Sequence, residues 1–162
     1  MSIDNYHLIL REFATAMGGD AAGLEADTEL SFEFDGMLAF ILQHPSEDAV
    51  VIDVEILQLR DLAAEASNLE RLLLLHQLNS VTRFTHGATA FLSVDQMLTL
   101  SRSIPLAGLS GQGLADVLSQ MLDAATGLRQ SWDDLRSLIR QAGQAAESKT
   151  TSVGMPMPGQ FA

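Results

Sequence analysis

Residues 29–57 read ELSFEFDGMLAFILQHPSEDAVVIDVEIL, and this stretch decides the fold class. Glu29–Phe34 alternates strictly, with Leu30, Phe32 and Phe34 on one face and Glu29, Ser31 and Glu33 on the other, the period of a half-buried strand. Asp35-Gly36 follows at once, a strong signal for a two-residue hairpin turn. Met37–Gln43 is apolar on both faces, which predicts a strand covered on both sides. Pro45 marks His44–Asp48 as a loop. In Ala49–Leu57, Val50, Ile52, Val54 and Ile56 share a face, while Asp53 and Glu55 point away. Three strands joined by two short connections make an antiparallel meander.

Helical spacing appears on either side of the meander. Ile3, Tyr6, Leu10, Phe13 and Met17 recur every three or four residues, which predicts a first helix from a Ser2 cap to about Met17. Gly18-Gly19 supplies its stop, and Gly18 to Asp27 reads as a polar loop. A second helix begins near Ser67, where Ser67 and Glu70 have capping-box spacing. Leu69, Leu72, Leu73, Leu74, Leu75 and Leu78 follow. Each helical step turns about 100°, so four consecutive leucines cannot all face one way. One side can cover the sheet and the other needs a further cover. A second copy of the helix supplies it economically in a twofold dimer; a wholly internal helix is the alternative.

Thr89–Val94 and Gln96–Ile104 read as two more strands around Asp95-Gln96, a weaker turn signal than Asp-Gly, with Pro105 stopping the second. Leu106–Gly113 reads as a loop. The last helix carries Leu114, Leu118, Met121, Ala125, Leu128, Trp132, Leu135, Ile139 and Ala142 in a seven-residue rhythm. That stripe is expected to pack on the sheet, and Gly127 inside it weakens the helix by roughly 1 kcal/mol relative to alanine. The order is helix, three strands, helix, two strands, helix. It predicts an α+β fold, a five-stranded antiparallel sheet with three helices, as a single domain over 1–146. Residues 147–162 are polar and rich in proline and glycine, and read as a disordered tail.

Composition limits the function. The chain has 162 residues, no cysteine and a net charge of −12. Residues 1–70 hold 15 carboxylates against 2 arginines, a net −13, and residues 71–162 hold 6 against 7 cations, a net +1. So acidic a first half repels phosphate backbones and anionic lipid surfaces, so neither nucleic acid nor a membrane is an expected partner. The charge favours solubility and could steer a basic or mixed-charge partner, although on charge alone a solvated acidic surface is the better reading. With no cysteine there is neither a disulfide framework nor a thiolate metal site. The start of the chain lacks the pattern of a targeting segment and no apolar run approaches the length of a membrane span, so a cytoplasmic protein is expected.

No pattern points to catalysis. His7, His44, His76 and His86 lie in no metal-ligand spacing, and each reads as a surface or satisfied polar residue, although His76 could sit at an interface. Asp53 and Glu55 share a strand face that alternation makes wet, whereas acid/base chemistry needs a desolvated cleft. Gly108, Gly111 and Gly113 precede a helix but lack the lysine of a P-loop, and loop flexibility explains them better than an anion site. No enzyme, metal or cofactor is expected.

Three stretches carry a resemblance: Phe32–Val54; Leu69–Asn79, LERLLLLHQLN; and Ala90–Leu106, AFLSVDQMLTLSRSIPL. With the element order, the acidity and the long last helix bearing Trp132, they resemble the class I chaperones of bacterial type III secretion (the Tir chaperone, CesT-like family) over roughly residues 1–142. The resemblance implies a homodimer in the bacterial cytoplasm, joined through the middle helix and an adjoining strand. Leu72, Leu74, Leu75, His76 and Leu78 are the candidate dimer interface. It also implies a partner, the N-terminal segment of a secreted effector held extended and secretion-competent without ATP or another cofactor. Strand addition to an open sheet edge offers a physical route, with Ile3, Leu10, Phe13, Leu30, Phe32 and Phe34 as candidate partner-binding residues. Ordinary core packing is the competing reading of each. A small dimeric regulatory or scaffold module that binds a folded signalling protein is the alternative function.

Overall fold

The computed structural model describes residues 2–19, 21–22, 24, 29–58, 75–80, 85–132, 134 and 137, with backbone only for residues 2 and 3. Its elements are α1 (Ser2–Ala16), β1 (Leu30–Phe34), β2 (Met37–Gln43), β3 (Ala49–Gln58), α2 (helical residues 75–80), β4 (Thr89–Leu92), β5 (Met97–Pro105) and α3 (Gly111–Gln130). The strands form one antiparallel sheet in the order β1-β2-β3-β5-β4. The α+β class, the meander and the second hairpin therefore stand as expected, with β5 rather than β4 laid against β3.

The two hairpins turn by different means. Asp35 and Gly36 both have positive φ, 49° and 73°, between the paired residues Phe34 and Met37. This is the type I′ geometry, whose twist matches that of the strands. Between β4 and β5, the Gln96 amide donates to the Ser93 carbonyl, the Ser93 amide donates to the Met97 carbonyl, and Gln96 has φ 64°. That is a type I turn closed by one left-handed residue, a place glycine fills at least cost. A glutamine there explains the weak turn signal.

The core lies on one side of the sheet. From α1 come Tyr6, Ile9, Leu10 and Phe13, and from α3 Leu114, Leu118, Met121 and Ala125. They bury Met37, Ala39 and Ile41 of β2 and Val50, Ile52, Val54 and Ile56 of β3. On the other side Leu38 is 42% exposed, and Phe40, Leu42 and Val51 are half-buried. The expectation that Met37–Gln43 is covered on both faces is thus corrected. α1 and α3 both sit on the opposite side of the sheet, against the buried face.

Several boundaries move as well. Met17 lies past the end of α1, where Gly18 takes φ 77°, and is exposed, while Ile9 widens the buried stripe instead. Pro105 is the last residue of β5 rather than a stop before it. The supposed loop Leu106–Gly113 ends at Ser110, whose hydroxyl caps α3 by accepting from the Gly113 amide at 3.1 Å. A Cβ on Gly111 would sit 2.3 Å from the Phe13 nitrogen and 2.4 Å from the Glu12 carbonyl carbon. Glycine there is what lets α1 and α3 cross closely, so its place is set by packing, not loop flexibility. The helix reaches Gln130 and is capped by Ser131. Leu135, Ile139, Ala142, the Ser67–Glu70 box and the expected tail lie outside the described residues.

Candidate functional site

The β1 edge of the sheet has geometry that a second chain could use. In a two-residue hairpin the residues flanking the turn exchange both backbone hydrogen bonds, and bonded and unbonded pairs then alternate. With Phe34 opposite Met37, Phe32 and Leu30 also bond inward to β2. Ser31 and Glu33 therefore turn their N–H and C=O groups away from the sheet, and no described residue takes them up. The edge offers two donors and two acceptors in a row.

The residues expected to bind a partner divide at this edge. Leu10 and Phe13 are 0% exposed, so they are core residues and not surface ones. Leu30 and Phe32 are half-buried against the core, whereas Phe34, at the hairpin tip, is 51% exposed. Phe13 and Phe32 meet edge to face, with ring centroids 5.7 Å apart and planes at 69°. This contact between α1 and β1 fixes the strand from beneath. The Ile3 side chain lies outside the described residues. Among the candidate dimer residues, Leu75 is half-buried, His76 is exposed and Leu78 is buried in the chain's own core. Core packing therefore accounts for Leu78. Leu72 and Leu74 lie outside the described residues.

Other contacts hold the edge in place. Arg129 on α3 donates from Nη1 to the Asp35 carbonyl, pinning the hairpin tip. The Nε2 atom of His7 lies 2.7 Å from the Leu24 carbonyl and ties the loop before β1 back to α1. Beneath the paired residues Leu30 and Ile41, the buried Tyr6 hydroxyl donates to the Ile41 carbonyl at 3.5 Å. Burial pushes the Tyr6 phenol up to about 12, and the charge of Glu29 pushes it the same way. Glu29, Glu33 and Asp35 place three carboxylates on eight residues, against the single Arg129 guanidinium at the hairpin tip, so the edge is net negative.

Nothing among the described residues suggests catalysis. No three His, Asp or Glu side chains there could hold a metal ion. His44 accepts at Nδ1 from the Ser46 and Glu47 amides, a structural role inside its loop. Asp53 and Glu55 do share a face, but they are half-buried rather than wet, and one Asp53 carboxylate oxygen is buried without a partner. Two amides at the start of α3 are already used, Gly111 by a Glu12 carboxylate oxygen at 3.0 Å and Gly113 by Ser110, and the Glu12 charge there opposes an anion. An open groove of about 540 Å³ between α1 and α3 is lined by Arg11, Glu12, Thr15, Ser110 and Gln112 among others. No helix among the described residues is long and apolar enough to cross a membrane.

Known proteins resemble the chain mainly in fold. Residues 8–129 match the family model of the Tir chaperone protein (CesT) family. Among curated proteins none matches by sequence. The structure is similar to that of the HopA1-SchA chaperone-effector complex, with TM-score 0.62 and 14% identity over 80% of this chain and 97% of that one. The ExsC-ExsE complex gives TM-score 0.59 and 18% identity over 78% and 91%. The Yersinia pestis type III secretion chaperone SycH, in complex with a stable fragment of YscM2, gives 0.55 and 18% over 76% and 98%.

Proposed function

The chain belongs to the Tir chaperone protein (CesT) family, and from that premise we propose that it binds the N-terminal region of a secreted effector as an extended chain and keeps it competent for type III secretion. The observation that carries this reading is the open β1 edge. Ser31 and Glu33 offer unused backbone groups there, beside a row of apolar side chains that emerges from the core at Phe34. An extended segment gains affinity from such an edge through main-chain hydrogen bonds and selectivity through alternate side chains. The three carboxylates of residues 29–36 favour a segment that carries cations. The protein acts by binding in the bacterial cytoplasm, without ATP or another cofactor.

The working unit is a homodimer joined through the leucine-rich middle helix. Leu72, Leu74, Leu75 and His76 are the proposed contacts, supported by the partial exposure of Leu75 and the exposure of His76 on α2. Light scattering on the purified chain tests the dimer, since a stable monomer would contradict it. Capture of the tagged chain from its own cells, followed by limited proteolysis, tests the function. The expected result is a co-purified protein with about 50–100 N-terminal residues protected only in the complex, as for a segment that orders on binding. A partner that digests identically free and bound would instead indicate a scaffold for a folded domain.

A further inference from the structure

A sheet with two free edges would accept a partner strand on either side, and β4 is the second edge. Its exposed groups follow from the same alternation. Ser93 exchanges a hydrogen bond with Met97, so β4 bonds β5 through Phe91 and Thr89, and Ala90 faces outward. Both outward groups of Ala90 are taken by one side chain. The Ala90 amide donates to Asn79 Oδ1 at 2.7 Å, and Asn79 Nδ2 donates to the Ala90 carbonyl at 3.1 Å. An asparagine amide carries one acceptor and a donor on neighbouring atoms, so it can meet a strand residue as the backbone of an adjacent strand would. The next outward amide, that of Ala88, is bonded to the Thr85 carbonyl in the turn before β4. Leu92, the last residue of β4, is the other outward residue, and with Ala90 taken it stands alone, too little for a ladder.

We propose that Asn79 is a specificity-determining residue that seals the β4 edge, so that strand addition is confined to β1. Leu78 beside it is buried in the core and anchors α2, which holds the amide in register. Natural sheets blunt exposed edges because these template pairing with other chains, and here one helix-borne amide does so. The inference rests on the strand-addition reading only for its functional consequence; the seal itself is a property of the free protein.

The test is amide exchange together with assembly state in the full chain. In Asn79→Ala the Ala90 amide should exchange about tenfold faster, the scale of one lost hydrogen bond, while the Phe91 amide, bonded to β5, is unchanged. The variant should also self-associate beyond the wild-type state in a concentration-dependent way. Asn79→Ala combined with Ala90→Pro should restore the wild-type state, because proline removes the freed donor. Asn79→Asp keeps the acceptor and loses the donor, and should fall between the two should Asn79→Ala prove too unstable to purify. Unchanged Ala90 exchange, or faster exchange without new association, would overturn the proposal. A failure of strand addition at β1 would show separately, as wild-type partner binding in a β1 edge variant, and would leave the exchange result intact.

Discussion

Phe13 and Phe34 occupy similar positions in the sequence pattern, each on an apolar stripe at the spacing of its element, yet they meet opposite environments. Phe13 is sealed between α1, β1 and the core, while Phe34 stands half in water at the end of the strand that Phe13 helps to hold. In the proposed function, the interior of the α1–β1–α3 unit positions and its rim binds. Interior substitutions should therefore cost folding, and rim substitutions should cost partner affinity at nearly constant stability.

The largest effect is expected at the helix crossing. Gly111→Ala puts a Cβ into the α1 backbone, and because that backbone cannot rotate away, denaturant unfolding should show a loss on the order of 3 kcal/mol or more. Phe13→Ala should cost about 3–5 kcal/mol. Phe34→Ala at the rim should cost no more than about 1 kcal/mol and still weaken capture of the partner. Equal stability losses for the two phenylalanines would erase the distinction between interior and rim.

Tyr6 reports on the interior beneath β1 through pH. It is the chain's only tyrosine, so its ionisation can be followed directly by near-ultraviolet absorbance. The phenol should titrate near 12 in the folded protein against an ordinary 10.0. Because the folded value is raised, the neutral phenol's contribution to stability is complete below the unfolded value and is lost as pH rises through the folded one. A midpoint near 10 in folded protein would mean that the space under β1 is wet. The smallest effect is expected at Gly127, where a Cβ would meet nothing within 4 Å. Gly127→Ala should raise stability by about 1 kcal/mol through helix propensity alone, with partner binding untouched.

Local chemistry made much of this legible from sequence. Asp35-Gly36 announced its turn because few other pairs accept positive φ twice in succession, and strand alternation named the buried face of β3 residue by residue. The site was less legible. An apolar stripe does not say which of its members ends at a rim, because that depends on how far the covering helices reach; Leu10, Phe13 and Phe34 were equal candidates for that reason. Gly111 looked like loop chemistry, since the α1 backbone it accommodates lies some 99 residues away in sequence, the separation of the Glu12–Gly111 bond. Asn79 read only as the polar end of a leucine-rich helix, and its role depends on where β4 places Ala90.

The most direct measurement sets one proline at each edge of the sheet. Ser31→Pro and Ala90→Pro each remove an N–H that does not bond a neighbouring strand, so both proteins should fold. Titration of the co-purified effector's N-terminal segment should show affinity reduced about tenfold or more by Ser31→Pro and unchanged by Ala90→Pro. Wild-type affinity in Ser31→Pro, or an equal loss at both edges, would contradict strand addition at β1.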